Sequence, residues 1–300
     1  MGNIVLSEKN LELLNLISQL GFLTEKHICA LFYTKHKSGD LDMVRARQSL
    51  SVRISEMANG GYLAKAAIPS QGLSNRVGYI LGPAGALALK DTKALESMQD
   101  LRWLEIRRDE VLYYARHHLI SINFLVNLMM LSRERNDLEI KTWLPDSDCR
   151  FYIPKGGKKL VLNPDLYLCI TRESKESIPI FLEVDRNTNN KSRFHRKVLR
   201  FFLYYSSDKH IRDLNESYFP RVCILAPTEA RLESLQSVVR ESKRNYNGDN
   251  AEGVATMPFW FATFEGADVY SIEEGRVSDK PLNGCWFNER GKQVTSPLEE

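Results

Sequence analysis

The sequence predicts an α+β, or α/β, chain of two domains: a helical head closed by a hairpin, then a sandwich of helices on a mixed sheet. Three observations predict it. At 300 residues the chain exceeds a typical domain of roughly 100–200 residues. Its apolar positions recur at helical spacing up to Asn59 and again over 110–135, then change to short strand-like runs beyond 138. A content of 43% hydrophobic and 26% charged residues supports folded cores and excludes collagen-like and wholly disordered classes.

Ser7 and Glu8 precede the run Leu11, Leu13, Leu14, Ile17 and Leu20, which predicts a capped amphipathic helix stopped by Gly21. Leu23-Thr24-Glu25 opens a short second helix with Ile28, Leu31 and Phe32 inward. A polar connection leads to a third helix, about Leu41 to Ala58, whose apolar positions are Val44, Leu50, Ile54 and Met57; Asn59-Gly60-Gly61 ends it. Two extended runs follow, Tyr62–Ile68 and Val77–Leu81, joined by a polar tip, and Pro83 begins another helix. Three helices and a hairpin are the pattern of a winged helix-turn-helix, here over residues 1–95. In that fold the third helix enters a major groove and the hairpin touches phosphates. Arg45, Arg47 and Arg53 on the third helix and Arg76 on the hairpin are the candidate DNA contacts. The same order of elements also occurs in protein-interaction modules.

The domain boundary is expected within 91–109. Glu110 to Arg135 reads as a buried helix, with Leu112, Ala115, Leu119, Ile122, Leu125, Val126 and Met129 at helical spacing.

Several functions are excluded by what the chain lacks. Its five cysteines are scattered without a C-x-x-C, and its six histidines form no H-E-x-x-H, so zinc knuckles and disulfide scaffolds are unsupported. There is no G-x-G-x-x-G, G-x-x-x-x-G-K-[ST] or G-x-S-x-G. The net charge of +3 neither requires nor excludes nucleic acid, so the distribution of charge decides. The longest apolar stretch, Leu119 to Leu131, falls short of the roughly 18–20 residues of a spanning helix. With no secretory signal visible, a cytoplasmic location away from the membrane is expected.

In the second half, Leu138–Leu144, Phe151–Ile153, Leu160–Ile170, Ile178–Asp185, Arg221–Ala226 and Phe259–Thr263 read as strands. Asn189 to about Ser206 and Thr228–Lys243 read as helices, giving a mixed sheet with helices packed on it. Residues 266–300 form a polar, turn-rich C-terminal extension.

Two acidic motifs stand inside that sheet. Asn163-Pro164-Asp165 opens one strand, and Glu183-Val184-Asp185 closes the next. Side chains at i and i+2 share a strand face, so Glu183 and Asp185 point together, and pairing of the two strands lets Asp165 meet them. Three carboxylates so placed repel one another and call for a countercharge. Mg²⁺ or Mn²⁺ held by Asp165, Glu183 and Asp185 is the expected solution. The alternative is a salt-bridged strand end, with Arg186 or the following helix as partner. That helix carries Lys191, Arg193, Arg196, Lys197 and Arg200 beside an apolar stripe. A metal and a cationic helix are the parts that phosphodiester chemistry uses.

Pro164-Asp165 followed by Glu183-x-Asp185 resembles the PD-(D/E)xK nuclease motif. The wider pattern adds Phe181-Leu182-Glu183-Val184-Asp185-Arg186-Asn187-Thr188, Arg196-Lys197 on the next helix, Tyr204-Tyr205 at its end, and Leu225-Ala226-Pro227-Thr228-Glu229-Ala230-Arg231. Over roughly residues 5–265 this resembles the replication-relaxation family of plasmid and mobile-element proteins. It is also similar to the restriction-endonuclease-like relaxases of mobilisable plasmids.

The resemblance implies a restriction-endonuclease-like domain over 105–265, with Asp165, Glu183 and Asp185 as metal ligands. It also implies an activity that nicks or relaxes DNA for mobilisation or replication. The chain departs from the motif at Asp185, where the nucleases have lysine; Lys197 or Lys191 could supply that amine, with Lys197 assigned to the catalytic set. The alternative is a degenerate centre in a non-catalytic DNA-binding regulator or replication accessory. Expected partners are double-stranded DNA at a plasmid origin or operator-like site, other mobilisation or replication proteins, and a second copy of the chain.

Overall fold

The computed structural model describes residues 6–33, 43–68, 76–91, 108–155, 158–173, 176–187 and 190–298. The chain divides into two compact units, Met1–Met130 with Ser271–Val277, and Leu131–Tyr270 with Ser278–Glu300. Most of the predicted boundary region, 92–107, lies outside the described residues.

The first unit begins with α1 (Glu8–Leu20), which buries Leu13, Leu14, Ile17 and Leu20 on one face. Gly21 ends it at φ 79°, a left-handed backbone that only glycine adopts without cost. Leu23 and Thr24 are not the start of the second helix. They form a two-residue strand, β1, against Tyr79 and Gly78. Thr24 is instead the cap of α2 (Glu25–Ile28), accepting from the His27 amide, and a π turn over Cys29–Tyr33 follows. After α3 (Met43–Asn59), β2 (Leu63–Ile68) and β3 (Arg76–Leu81) pair antiparallel, and the order β1-β3-β2 completes a three-stranded sheet. Helix α4 (Pro83–Asp91) comes next. Gly82 sits where a Cβ would fall 2.3 Å from the Gly61 carbonyl oxygen, so no side chain fits at that crossing.

Helix α5 (Arg108–Glu134) is buried along most of its middle, not on a single apolar stripe: Ser121, Asn123 and Asn127 are as hidden as Leu125 and Val126. Polar partners reach the oxygens of Asn123 and Asn127, while Ser121 Oγ and Asn123 Nδ2 meet none among the described residues. His27 Nδ1 accepts from the Thr24 amide, so Nε2 carries the proton and donates to Asn123 Oδ1 at 2.5 Å. Asn127 Oδ1 accepts from Ser271, and Thr24 Oγ1 donates to Glu273, so the returning segment 271–277 is stitched into this core.

The second unit is built on a seven-stranded mixed sheet: β4 (Leu138–Pro145), β7 (Leu166–Arg172), β8 (Ser177–Val184), β9 (Arg221–Ala226), β10 (Phe259–Thr263), β11 (Trp286–Phe287) and β12 (Gln293–Val294). Its order is β12-β11-β10-β9-β8-β7-β4, with β8, β9 and β10 parallel and the other pairs antiparallel. The predicted strand Leu160–Ile170 is two strands. Its first part, β6 (Lys158–Leu162), pairs with β5 (Phe151–Lys155) in a separate hairpin, and the chain breaks at Asn163-Pro164-Asp165 before β7. Pro164 has no amide for a ladder, which accounts for the break. The C-terminal extension also proves structural, because β11 and β12 extend the main sheet beyond β10.

Helices α6 (Lys191–Ser206) and α8 (Glu229–Asn245) cover one face of this sheet; α7 (Lys209–Leu214) packs on α6, and α9 (Ala251–Thr256) touches both long helices. Phe181 is the hub beneath them, with Phe151, Tyr167, Phe201 and Phe219 rings centred 5.4, 5.7, 6.0 and 6.0 Å away. Replacing Phe181 by Ala removes a fully buried ring from this cluster. The expected cost is about 3–5 kcal/mol, read as a lower urea midpoint for the second unit, with Phe181→Leu costing less.

Candidate active site

Residues β7 and β8 bring to one end of the sheet are the acidic ones. Leu166 pairs with Leu182, and the Asp165 amide donates to the Leu182 carbonyl at 3.0 Å, so the register continues to the residue that opens the strand. Asp165 Oδ2 accepts from the Val184 amide at 2.6 Å, which fixes the carboxylate across the neighbouring strand. Glu183 lies on the same sheet face as Phe181 by the two-residue period, and it is 3% exposed. Asp165 and Asp185 are buried as well.

The cation comes from α6. Asn190 caps this helix by accepting from the Arg193 amide, and Phe194, Val198, Phe201 and Phe202 form its buried stripe. Lys197, beside Val198 at the border of that stripe, reaches inward. Its Nζ lies 2.5 Å from Glu183 Oε2 and 3.9 Å from Asp165 Oδ1. Burial opposes the charge on Lys197 more than any other single influence, but Asp165, Glu183 and Asp146 together outweigh it, and its pKa stands above the ordinary lysine value. Lys197 is therefore a fixed positive charge at neutral pH.

Asp185 takes a different partner. Arg231, in the first turn of α8, donates from Nε to Asp185 Oδ1 at 2.8 Å and from Nη2 to Oδ2 at 2.9 Å. The Asn187 amide adds a bond to Oδ1 at 2.7 Å. The hydrogen bonds to Asp185, set against partial burial, hold the Arg231 guanidinium above its already high pKa. The structure thus joins Asp165, Glu183 and Lys197, while Asp185 is committed to Arg231. Among the described residues, no three of His, Cys, Asp and Glu are grouped to hold a metal ion.

Neither Asp146 nor Arg231 is marked as a site residue by a motif or by local spacing. Asp146 sits in the turn after β4, accepts a hydrogen bond from Asn163 Nδ2, and adds to the negative potential around Lys197. A signal for it existed: the Pro-Asp dipeptide occurs at 145–146 as well as at 164–165. Arg231 lies in the 225–231 segment, three residues after the Thr228 cap of α8, and only the tertiary fold brings it to Asp185.

The remaining candidate residues separate into groups. Arg193 and Arg196 are exposed and Arg200 is half-buried; their spacing of three and seven places them on one stripe of α6. Lys191 instead lines a cavity of about 510 Å³ with His195, Val238, Glu241, Ser242 and Tyr246. Arg53 is held internally, donating to Asn10 Oδ1 and Glu56 Oε2, each at 3.0 Å. The side chains of Arg45, Arg47 and Arg76 lie outside the described residues, as does the hairpin tip 69–75.

Lys197→Ala should leave two buried carboxylates without their cation. The expected loss is about 3 kcal/mol at neutral pH, the low end for breaking a buried pair, because the Lys197 side chain is 24% exposed. The deficit should narrow as pH falls toward 4, where carboxyl groups take up protons. In the native protein the sign at high pH is opposite to that of a paired acid. A raised lysine pKa gives stability that is complete below about pH 10.4 and lost as pH rises through the folded value. Denaturation midpoints of both proteins across pH 4–11 measure all three effects. Arg231→Lys should also destabilise, since one ammonium cannot reproduce the paired guanidinium bonds.

No curated protein and no solved structure matches the chain. The replication-relaxation family does, over residues 14–222. That span covers more than half of the sequence, including the second half of α1, the hairpin β2–β3, both acidic strand ends and all of α6, and on this ground the chain belongs to the replication-relaxation family.

Proposed function

We propose that the protein binds double-stranded DNA at a plasmid origin or operator-like site and acts on its phosphodiester backbone at the Asp165–Glu183–Lys197 cluster, in plasmid replication or mobilisation. The observation that carries this reading is the convergence of two buried carboxylates and one charged lysine, from two strand ends and a helix, at one end of a sheet. With all three ionised the group keeps a net charge of −1, which a further cation would neutralise. Mg²⁺ is commonly held by one or two carboxylates together with water and substrate phosphates, so Asp165 and Glu183 fit it as protein ligands, and Mn²⁺ takes the same donors. Asp185 falls outside that set because Arg231 occupies both its oxygens. A divalent cation held there would polarise the phosphate and make a bound water a better nucleophile. Lys197, kept protonated, would stabilise negative charge on the phosphate and would not serve as a general base. Arg193, Arg196 and Arg200 would hold neighbouring phosphates.

In the first unit, α1, α2 and α3 followed by a hairpin support a winged-helix reading. With Arg53 engaged by Asn10 and Glu56, groove contacts fall to Arg45 and Arg47, and Arg53 serves to join α3 to α1.

A second reading, a non-catalytic DNA-binding regulator or replication accessory, has its own support: each buried carboxylate at the strand ends already has a protein cation. Incubating supercoiled plasmid that carries the protein's own origin with Mg²⁺ or Mn²⁺ separates the two. Cleavage predicts open circles, with Asp165→Asn and Glu183→Gln slower by at least about 100-fold and DNA binding in EDTA retained. A wild-type protein that binds the plasmid and leaves it supercoiled overturns cleavage and establishes the regulator.

Replacing Arg193, Arg196 and Arg200 by Ala should weaken binding about equally on all sequences. It should also reduce the salt slope by roughly one unit per lost contact in titrations from low to high salt. A change in sequence preference instead would show that α6 reads bases.

A further inference from the structure

We infer that the β5–β6 hairpin is a platform for an unpaired strand of DNA, with Tyr152 as the stacking surface and Arg150, Lys159 and Lys209 as phosphate contacts. The inference rests on the DNA reading above and specifies the form of the substrate. Residues 150–162 contain four basic residues and no acidic one, in a chain whose two signs are otherwise nearly balanced. The hairpin forms a sheet of its own, apart from the seven-stranded one.

Alternation along β5 decides which side chains meet solvent. Phe151 and Ile153 are buried in the aromatic core, whereas Tyr152 between them is 49% exposed. A ring left so open contributes little to the core beneath it. One cation stands over the ring and two others lie near the Tyr152 backbone. Lys159 Nζ stands 5.9 Å from the ring centre, and Lys209, at the start of α7, donates to the Tyr152 carbonyl. Arg150 is exposed two residues before. A half-exposed aromatic ring among cations matches a base and its phosphates: the ring stacks on the base, and the ammonium and guanidinium groups meet the backbone. Both faces of a base inside a duplex are already covered by its neighbours, so this arrangement selects an unpaired strand.

The hairpin is also rooted at the candidate site. Asn163, just after β6, donates to Asp146, just after β4, closing the neck of the excursion. Asp165 follows Asn163 by two residues. A strand held on the hairpin is therefore held by a segment whose two ends run into the acidic cluster.

The test measures fluorescence anisotropy of a labelled oligothymidine strand, and of a duplex of equal length, with the full chain in EDTA so that cleavage plays no part. Tyr152→Ala should weaken single-strand binding about tenfold or more and leave duplex binding unchanged, while Tyr152→Phe, which keeps the ring face, retains wild-type affinity. Arg150→Ala and Lys159→Ala should each weaken single-strand binding and lower its salt slope by roughly 0.7. An unchanged melting temperature for Tyr152→Ala shows that the fold survives. Equal single-strand affinity of wild type and Tyr152→Ala overturns the platform, and so does a Tyr152→Phe loss as large as that of alanine. Wild-type binding to duplex but not to single strand overturns the platform and leaves the DNA reading standing, whereas binding to neither overturns both.

Discussion

Three buried carboxylates at adjoining strand ends can stay in the protein only if cations come to them, and this requirement organises the second unit. Removing an ion from water costs several kcal/mol even after relaxation, and a neighbouring ion of the same sign adds to that cost. The countercharges arrive from two helices, Lys197 from α6 and Arg231 from α8. Both helices must therefore lie over the same sheet face, with their cationic turns at the acidic end. The aromatic cluster around Phe181 supplies the apolar attraction that keeps them there, since Phe194, Phe201 and Leu235 share its core.

The two neutralisations differ in kind. Arg231 meets Asp185 with two parallel hydrogen bonds, and charge and geometry close together. Lys197 is one charge placed between two carboxylates, close to Glu183 and farther from Asp165. The first pair is electrostatically complete and acts as a clamp between β8 and α8. The second group keeps one negative charge in excess, and its lysine side chain is partly exposed. That difference, more than the presence of acidic residues as such, is the physical ground on which we propose chemistry at Asp165, Glu183 and Lys197 and not at Asp185.

The first unit manages buried polarity by a different means. Asn123 and Asn127 lie in the buried middle of α5, where their amide oxygens need partners. His27 and Ser271 meet them, and Glu273 receives the Thr24 hydroxyl. A segment more than a hundred residues beyond α5 in the chain is thus part of this core, so the unit is not a contiguous stretch of sequence.

Much of the element order was legible in the sequence, because caps, glycine stops and hydrophobic period act locally. Gly21, the Asn59–Gly61 stop, Pro83 and the apolar stripe of α6 each mark an element that forms where the residues indicate. The mixed α+β class follows from the same local rules, whereas the pairing that brings Asp165 to the Glu183 strand was a condition the fold had to meet. What escaped was every feature settled by a distant partner. Leu23 and Thr24 became a strand because Tyr79 and Gly78 offered an edge, and Trp286–Phe287 found one at β10. The sequence by itself placed Glu183 and Asp185 together at a strand end by the two-residue period, although β8 stops at Val184 and Asp185 falls just beyond it. Only the tertiary structure decided that they take different cations, because the reach of Lys197 and Arg231 depends on where two packed helices lie, and no local spacing encodes that.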